Sequence, residues 1–255
     1  MKEEADLKSE IEKIHFDFPT YGYRRIHEEI LQTTGEIINT KRIRRIMTKY
    51  DLHPVYYKKW KIATTDSNHS EPIYPNLIQE MSLDNINQVW VADITYIRIE
   101  TCFIYLAAIM DLYSRKVVGR AISKNIDQEL CLEALAMGLQ RRKPPRGLIH
   151  QSDRGVQYAS HAYIKMLTDH GVHISMSAKG NSYENAFCES LMKTLKYDEI
   201  LLKNYETMTD VLMNLPRFIE EIYNKKRLHS SIGYKSPEVF ENLLPTMAER
   251  PILKI

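Results

Sequence analysis

Apolar positions along this chain change their period near residue 85. Ahead of that point they recur at helical spacing. Ile26 and Ile30 stand four apart, Thr33-Thr34-Gly35 breaks the run, and Asn39 or Thr40 opens a second helix with Ile43, Ile46 and Met47 on its apolar side. Arg42, Arg44, Arg45 and Lys49 fall elsewhere on that helix, and Pro54 closes the unit. Two short helices about a glycine-containing turn, the second one basic, read as a helix-turn-helix, with a solvated basic helix as the alternative. The pattern divides the chain into a helical module over residues 1–60, a linker over 61–85 containing the polar tract Thr64 to Pro72, a larger unit over 86–245 and a tail over 246–255.

Beyond the linker the period becomes two. Runs rich in β-branched and aromatic residues predict strands over 88–98, 102–111 and 115–123. A helix over 127–142, a strand over 147–151, a helix over 159–169, a strand over 172–176 and a helix over 183–196 follow. Three successive strands and then alternating helices and strands describe an α/β fold, a mixed sheet with helices on its faces. Pro216 predicts a kink, or a late start, in the helix that precedes Tyr223.

Three acids interrupt this apolar pattern. Asp93 lies within Trp90-Val91-Ala92-Asp93-Ile94-Thr95-Tyr96, Asp153 follows the short strand at Gly147-Leu148-Ile149-His150, and Glu189 lies within Phe187-Cys188-Glu189-Ser190-Leu191. An isolated buried carboxylate is strongly disfavoured, and a divalent cation is one partner that relieves it. Strand ends of open α/β sheets are also where ligands bind. Taken singly, each acid reads equally well as a cap, a turn residue or a solvated charge. Together, in the order strand, strand end, helix, they form a candidate metal site. Lys196 lies two helical turns beyond Glu189 and so shares its face.

The segments Val89 to Ile97, His150 to Tyr158 and Gly180 to Ser190 resemble the integrase core of bacterial insertion-sequence transposases, and the likeness continues through Tyr223 to Tyr234 and Ser236-Pro237-Glu238. Thirty-five residues separate Asp153 from Glu189, and a basic residue, Lys196, follows seven positions later, as in that family. The resemblance covers residues from about 19 to about 240. It implies a ribonuclease-H-like fold with a DNA-binding helical module ahead of it. It also implies an Asp, Asp, Glu triad of Asp93, Asp153 and Glu189 holding two Mg2+ ions, for which Mn2+ substitutes, and a reaction that cleaves DNA and transfers 3′ ends. Candidate DNA contacts are Arg42, Arg44, Arg45 and Lys49 in the helical module and Lys179, Lys196, Arg227 and His229 in the core. The implied partners are element ends and target DNA, further copies of the chain on DNA, and the product of an upstream reading frame. Two other readings stand beside this one: a DNA-binding regulator with an inactive core, and a ribonuclease-H-like nuclease without strand transfer.

Composition alters the picture little. Of 255 residues, 44% are apolar and 27% charged, and the net charge of +2 announces no nucleic acid by itself; the basic character is local, in Lys41, Arg42, Arg44, Arg45 and Lys49 and then Lys58, Lys59 and Lys61. Three widely spaced cysteines without a Cys-x-x-Cys pair argue for a reducing compartment and against a zinc module. His170 and His173 lack companion ligands, and Trp90 and Tyr158 read as core or wall aromatics. No apolar run approaches the roughly 20 residues that span a bilayer, and the start carries no signal-peptide pattern, which predicts a cytoplasmic protein.

Overall fold

A computed structural model describes residues 3–55, 72–100, 102–178 and 186–255. Residues 61–71 of the linker predicted over 61–85, with the polar tract up to residue 71, Lys179 and the first residues of the helix predicted over 183–196, lie outside the described residues.

The N-terminal unit has three helices where the periodicity marks two. They are α1 (Glu4–Asp17), α2 (Tyr23–Thr34) and α3 (Thr40–Lys49), packed about Leu7, Ile11, Ile26, Ile30, Ile43 and Ile46. Leu7, Ile11 and Ile14 line the apolar side of α1 at helical spacing, but the exposed Phe16 off that side weakens the signal. Gly35 ends α2 in the left-handed region at φ 73°, where glycine pays no Cβ penalty, and the Asn39 side chain caps α3 by accepting from Lys41 N at 2.9 Å.

The larger unit begins with the short strand β1 (Ser82–Leu83) and continues through β2 (Val89–Arg98), β3 (Phe103–Asp111), β4 (Val117–Ser123), α4 (Gln128–Arg142), β5 (Ile149–Ser152), α5 (Val156–Ala159), α6 (His161–Asp169), β6 (His173–Met176) and α7 (Ala186–Leu195). Five strands form one sheet in the order β4-β3-β2-β5-β6; β3 runs antiparallel to both its neighbours, while β2, β5 and β6 are parallel. This is the predicted mixed sheet. Alternation along β2 separates its two faces: Val89, Val91 and Ile97 pack with Cys188, Leu191 and Leu195 of α7, whereas Trp90, Ala92 and Ile94 pack with Leu135 of α4 and Tyr163 of α6.

After α7 the chain widens into a π-helical turn (Lys196–Ile200) and passes through α8 (Leu201–Lys203) to α9 (Met208–Arg217), which Thr207 and Asp210 open with a capping box. Pro216 does not delay this helix. It sits near the C-terminal end of α9, and the chain continues as a second π-helical turn (Phe218–Tyr223), whose wider winding follows the hydrogen bond that proline cannot donate. After α10 (Pro237–Leu243), the segment read as a tail returns to the core: β7 (Leu253–Lys254) pairs antiparallel with β1. The two units also interlock. Tyr21 Oη accepts from Leu228 N at 2.8 Å, Thr20 Oγ1 donates to Asp198 at 2.6 Å, and Gln32 Nε2 donates to Tyr234 O at 2.7 Å.

Gly119 lets α4 lie directly on β4, because a Cβ added there would stand 2.2 Å from the backbone oxygen of Ala134. Gly119→Ala is therefore expected to destabilise the protein by about 2–3 kcal/mol, read from urea unfolding, since helix backbone rather than a flexible side chain must move.

Candidate active site

Strand register places the first two acids. Val91 pairs with Gln151 in the parallel β2/β5 ladder, so Asp93 and Asp153, each two residues further on, point to the same face from adjacent strands, whose spacing is about 4.8 Å. That is the face covered by α7. Asp93 interrupts an otherwise buried run, and one of its carboxylate oxygens accepts from Ile94 N at 2.8 Å. Asp153 lies just past the end of β5, and its Oδ1 accepts from Gly155 N at 2.9 Å, which shapes the turn into α5. Glu189 stands on the first turn of α7 and is exposed, while its neighbour Cys188 is buried against the sheet.

The electrostatics tie these groups together. Burial, then the charge of Asp153 and, more weakly, that of Glu189 push the Asp93 carboxyl up to about 8, with the Ile94 N–H and the Lys196 charge pulling the other way. Lys196 Nζ lies 4.0 Å from the centre of the Tyr96 ring; burial lowers its pKa and the Asp93 charge opposes that shift. Among the described residues no group of three His, Cys, Asp or Glu is close enough to hold a metal ion. The fold thus sets Asp93 beside Asp153 and leaves Glu189 on the covering helix, not converged with them. The donor set nevertheless suits a hard divalent cation: all three groups offer carboxylate oxygen, and the surroundings of Asp93 disfavour its charged form, which a cation would restore.

Gln151 escaped notice in the sequence. It is buried, lies on the same face as the two aspartates, and neither of its amide atoms has a hydrogen-bond partner.

The candidate DNA contacts divide sharply. Arg44 and Arg45 are exposed on α3, and Arg42 is half-buried. Lys49 donates to Glu4 of α1 at 2.5 Å, with Arg45 3.9 Å from the same carboxylate. Arg227 is buried and His229 half-buried, so neither side chain stands out on the surface. Arg227 is 5% exposed and its Nε donates to Asp198 at 2.5 Å, and His229 packs edge-on to Tyr223 with its Nε2 buried; both were drawn inward by the packing of the helical unit on the core. Trp90 and Tyr158 are core aromatics, as expected.

Comparisons with known proteins agree with this architecture. An HTH-like domain matches residues 2–60, and two integrase core domain families match residues 84–182 and 170–237. A chain of the simian T-cell lymphotropic virus intasome has the same fold, with a TM-score of 0.51 at 16% identity over 90% of this chain and 73% of that one. The fold and domain order define an integrase-type polynucleotidyl transferase with a helical N-terminal unit. The chain is 37% identical over 244 residues to the insertion element IS600 31 kDa protein of Shigella sonnei, covering 95% of this chain and 89% of that protein. It is also 37% identical to the transposase of IS904 from Lactococcus lactis, over 87% of each chain, and 36% identical to the InsF transposase of IS3A from Escherichia coli, over 87% of this chain and 77% of that one. It belongs to the insertion-sequence transposases and is a DNA transposase of that family. No helix among the described residues is long and apolar enough to cross a membrane.

The raised Asp93 pKa predicts that the acid costs stability in the metal-free protein. The unfolded carboxyl titrates near 3.9 and the folded one at about 8, so between these values the folded state binds more protons and stability falls as pH rises. Asp93→Asn is expected to raise the melting temperature in chelator, by more at pH 8 than at pH 5. Equal melting temperatures for the two proteins at pH 8 would show that the carboxylate is not under strain.

Proposed function

We propose that Asp93, Asp153 and Glu189 are the catalytic carboxylates, and that they hold Mg2+ or Mn2+ for DNA cleavage and 3′-end transfer. The supporting observation is the side-by-side placement of Asp93 and Asp153 beneath α7, with Asp93 pushed to about 8 by burial and by its acidic neighbours. Two divalent ions bound there would stabilise both the attacking and the leaving oxygen of an in-line displacement at phosphorus. Asp93, central on the sheet, would serve both ions; Asp153 and Glu189 would each serve one. With water as nucleophile the strand is nicked, and with a DNA 3′-hydroxyl it is joined to another strand. Lys196, held over Tyr96 at the start of the π-helical turn that follows the Glu189 helix, is suited to contact a phosphate beside the acids. Element ends and target DNA are the substrates on this reading, and the enzyme works in the cytoplasm as several copies on DNA, together with the product of an upstream reading frame.

Asp93→Asn, Asp153→Asn and Glu189→Gln should each abolish nicking and joining of element-end DNA while leaving end binding intact, because each removes a ligand charge without opening a cavity. Activity should require Mg2+ or Mn2+, with Ca2+ supporting binding but little chemistry. Wild-type activity in Glu189→Gln would overturn the assignment of that residue, and full activity in excess chelator would overturn the metal reading.

The exposed Arg44 and Arg45 support a DNA-binding role for α3. Replacing both by Ala should weaken binding of labelled end DNA and reduce the slope of log affinity against log salt by about 0.9 per lost phosphate contact, with the core still folded. An unchanged slope would mean that α3 presents only a solvated face, in line with the internal pairing of its neighbour Lys49 to Glu4.

A further inference from the structure

Three arginines and a histidine from separate segments meet where the N-terminal helices touch the core. Arg25 comes from α2, Arg115 from the turn between β3 and β4, and Arg227 and His229 from the chain beyond the second π-helical turn. Arg115 is 8% exposed and holds a left-handed backbone at φ 65°, a costly conformation for a residue with a side chain. Nε of Arg25, Nε of Arg115 and Nε2 of His229 are each buried with no hydrogen-bond partner. Buried donors of this kind are rare in a finished fold and need a reason.

One nearby acid, Asp198, answers one of these cations; the others do not pair with the cluster. Asp198 accepts from both Arg227 Nε and Thr20 Oγ1. Asp111 accepts from Asn87, Tyr113 and Ser114. Glu29, one turn beyond Arg25, has a carboxyl raised by burial and by the charge of Asp17. Burial, with the charges of Arg227, Arg25 and Arg115, holds the His229 imidazole well below its ordinary pKa, so all three guanidinium groups act on one ring. Aromatic surfaces wall the cluster: the Arg115 guanidinium lies 4.7 Å from the Phe187 ring centre, and Tyr223 stands 4.9 Å from His229.

We propose that Arg25, Arg115, Arg227 and His229 form a binding site for a phosphate-type oxyanion at the junction of the helical unit and the core. A tetrahedral oxyanion offers several acceptors to guanidinium N–H groups, which bind it more tightly and with more direction than they bind chloride. Its charge would answer the excess of cations, and its oxygens would satisfy the orphan donors. Because α2 supplies one ligand and the core the others, occupancy would also fasten the two units together. The anion is either a backbone phosphodiester of bound DNA or free phosphate.

The test uses the full chain with isotope-labelled histidine rings, titrated with inorganic phosphate against chloride at constant ionic strength. Phosphate should shift the His229 Nε2 resonance and raise the melting temperature by about 2–5 °C at saturation. Arg115→Gln should weaken phosphate binding at least tenfold, while Lys165→Ala, an exposed cation on α6, should leave it unchanged. Adding element-end duplex then separates the sources. Displacement of phosphate from His229 identifies the DNA backbone as the natural anion, and an unaffected phosphate signal identifies free phosphate. If neither phosphate nor duplex moves the His229 resonance of the wild type, the site does not exist, whether or not the Arg115 variant folds.

Discussion

The parallel pairing of β2 with β5 is the constraint on which the rest of the site depends. Side chains alternate with a period of two along a strand, so a register slip of one residue would send Asp93 to the face packed against α4 and leave Asp153 alone. Both faces are apolar, and each holds the register. Trp90 is fully buried among the residues of one layer, and Val89 and Val91 are buried in the other. The acids therefore stand where they do because hydrophobic packing on two sides forbids any other alignment. Glu189 depends on the same packing at one remove, through Cys188, Leu191 and Leu195 of α7.

The C-terminal third of the chain packs Val211, Leu215, Ile219, Tyr223 and Phe240 into the core on that sheet, and polar contacts fix its position there. Asn224 pairs with the backbone of the edge strand β4, accepting from Val117 N at 2.9 Å and donating to Val117 O at 3.0 Å, so its amide stands in for a neighbouring strand. Glu241 of α10 takes both terminal nitrogens of Arg142 at 2.8 Å and the hydroxyl of Ser114 at 2.7 Å. Charge-assisted bonds of this bidentate kind are strong and directional. They fix α10 against the end of α4, and the segment between Asn224 and α10 then carries Leu228 into the core of the N-terminal helices. The helical unit is thereby attached to the catalytic sheet.

Two places in the molecule carry more like charge than the fold answers. At one, carboxylates crowd Asp93; at the other, guanidinium groups crowd His229. Both arrangements lower stability in the isolated chain, and both have the sign that a phosphodiester reaction requires, acids for cations and cations for phosphate. Gln151, buried and unpartnered between β2 and β6, adds a third local cost on the same face as the acids. Stability given up at such positions is characteristic of sites that work on a ligand.

Periodicity alone determined the strands and their flanking helices, because alternation and helical spacing are local properties that burial enforces directly, whereas the pairing of β2 with β5 that makes Asp93 and Asp153 neighbours was decided by the tertiary fold. The contexts of Asp93, Asp153 and Glu189 were legible for the same reason: an acid stands out against an apolar run. Helix α1 has Leu7, Ile11 and Ile14 at helical spacing, but the exposed Phe16 lies off that face and weakens its amphipathic signal, and the return of residues 253–254 to pair with β1 has no local signature at all. The environments of Arg227 and His229 were likewise decided only in three dimensions. Side-chain chemistry proposes a phosphate contact, but whether that side chain faces solvent, an acid or two other arginines depends on which distant segments pack against it, and here that was settled by α2, the β3–β4 turn and Asp198 meeting at one junction.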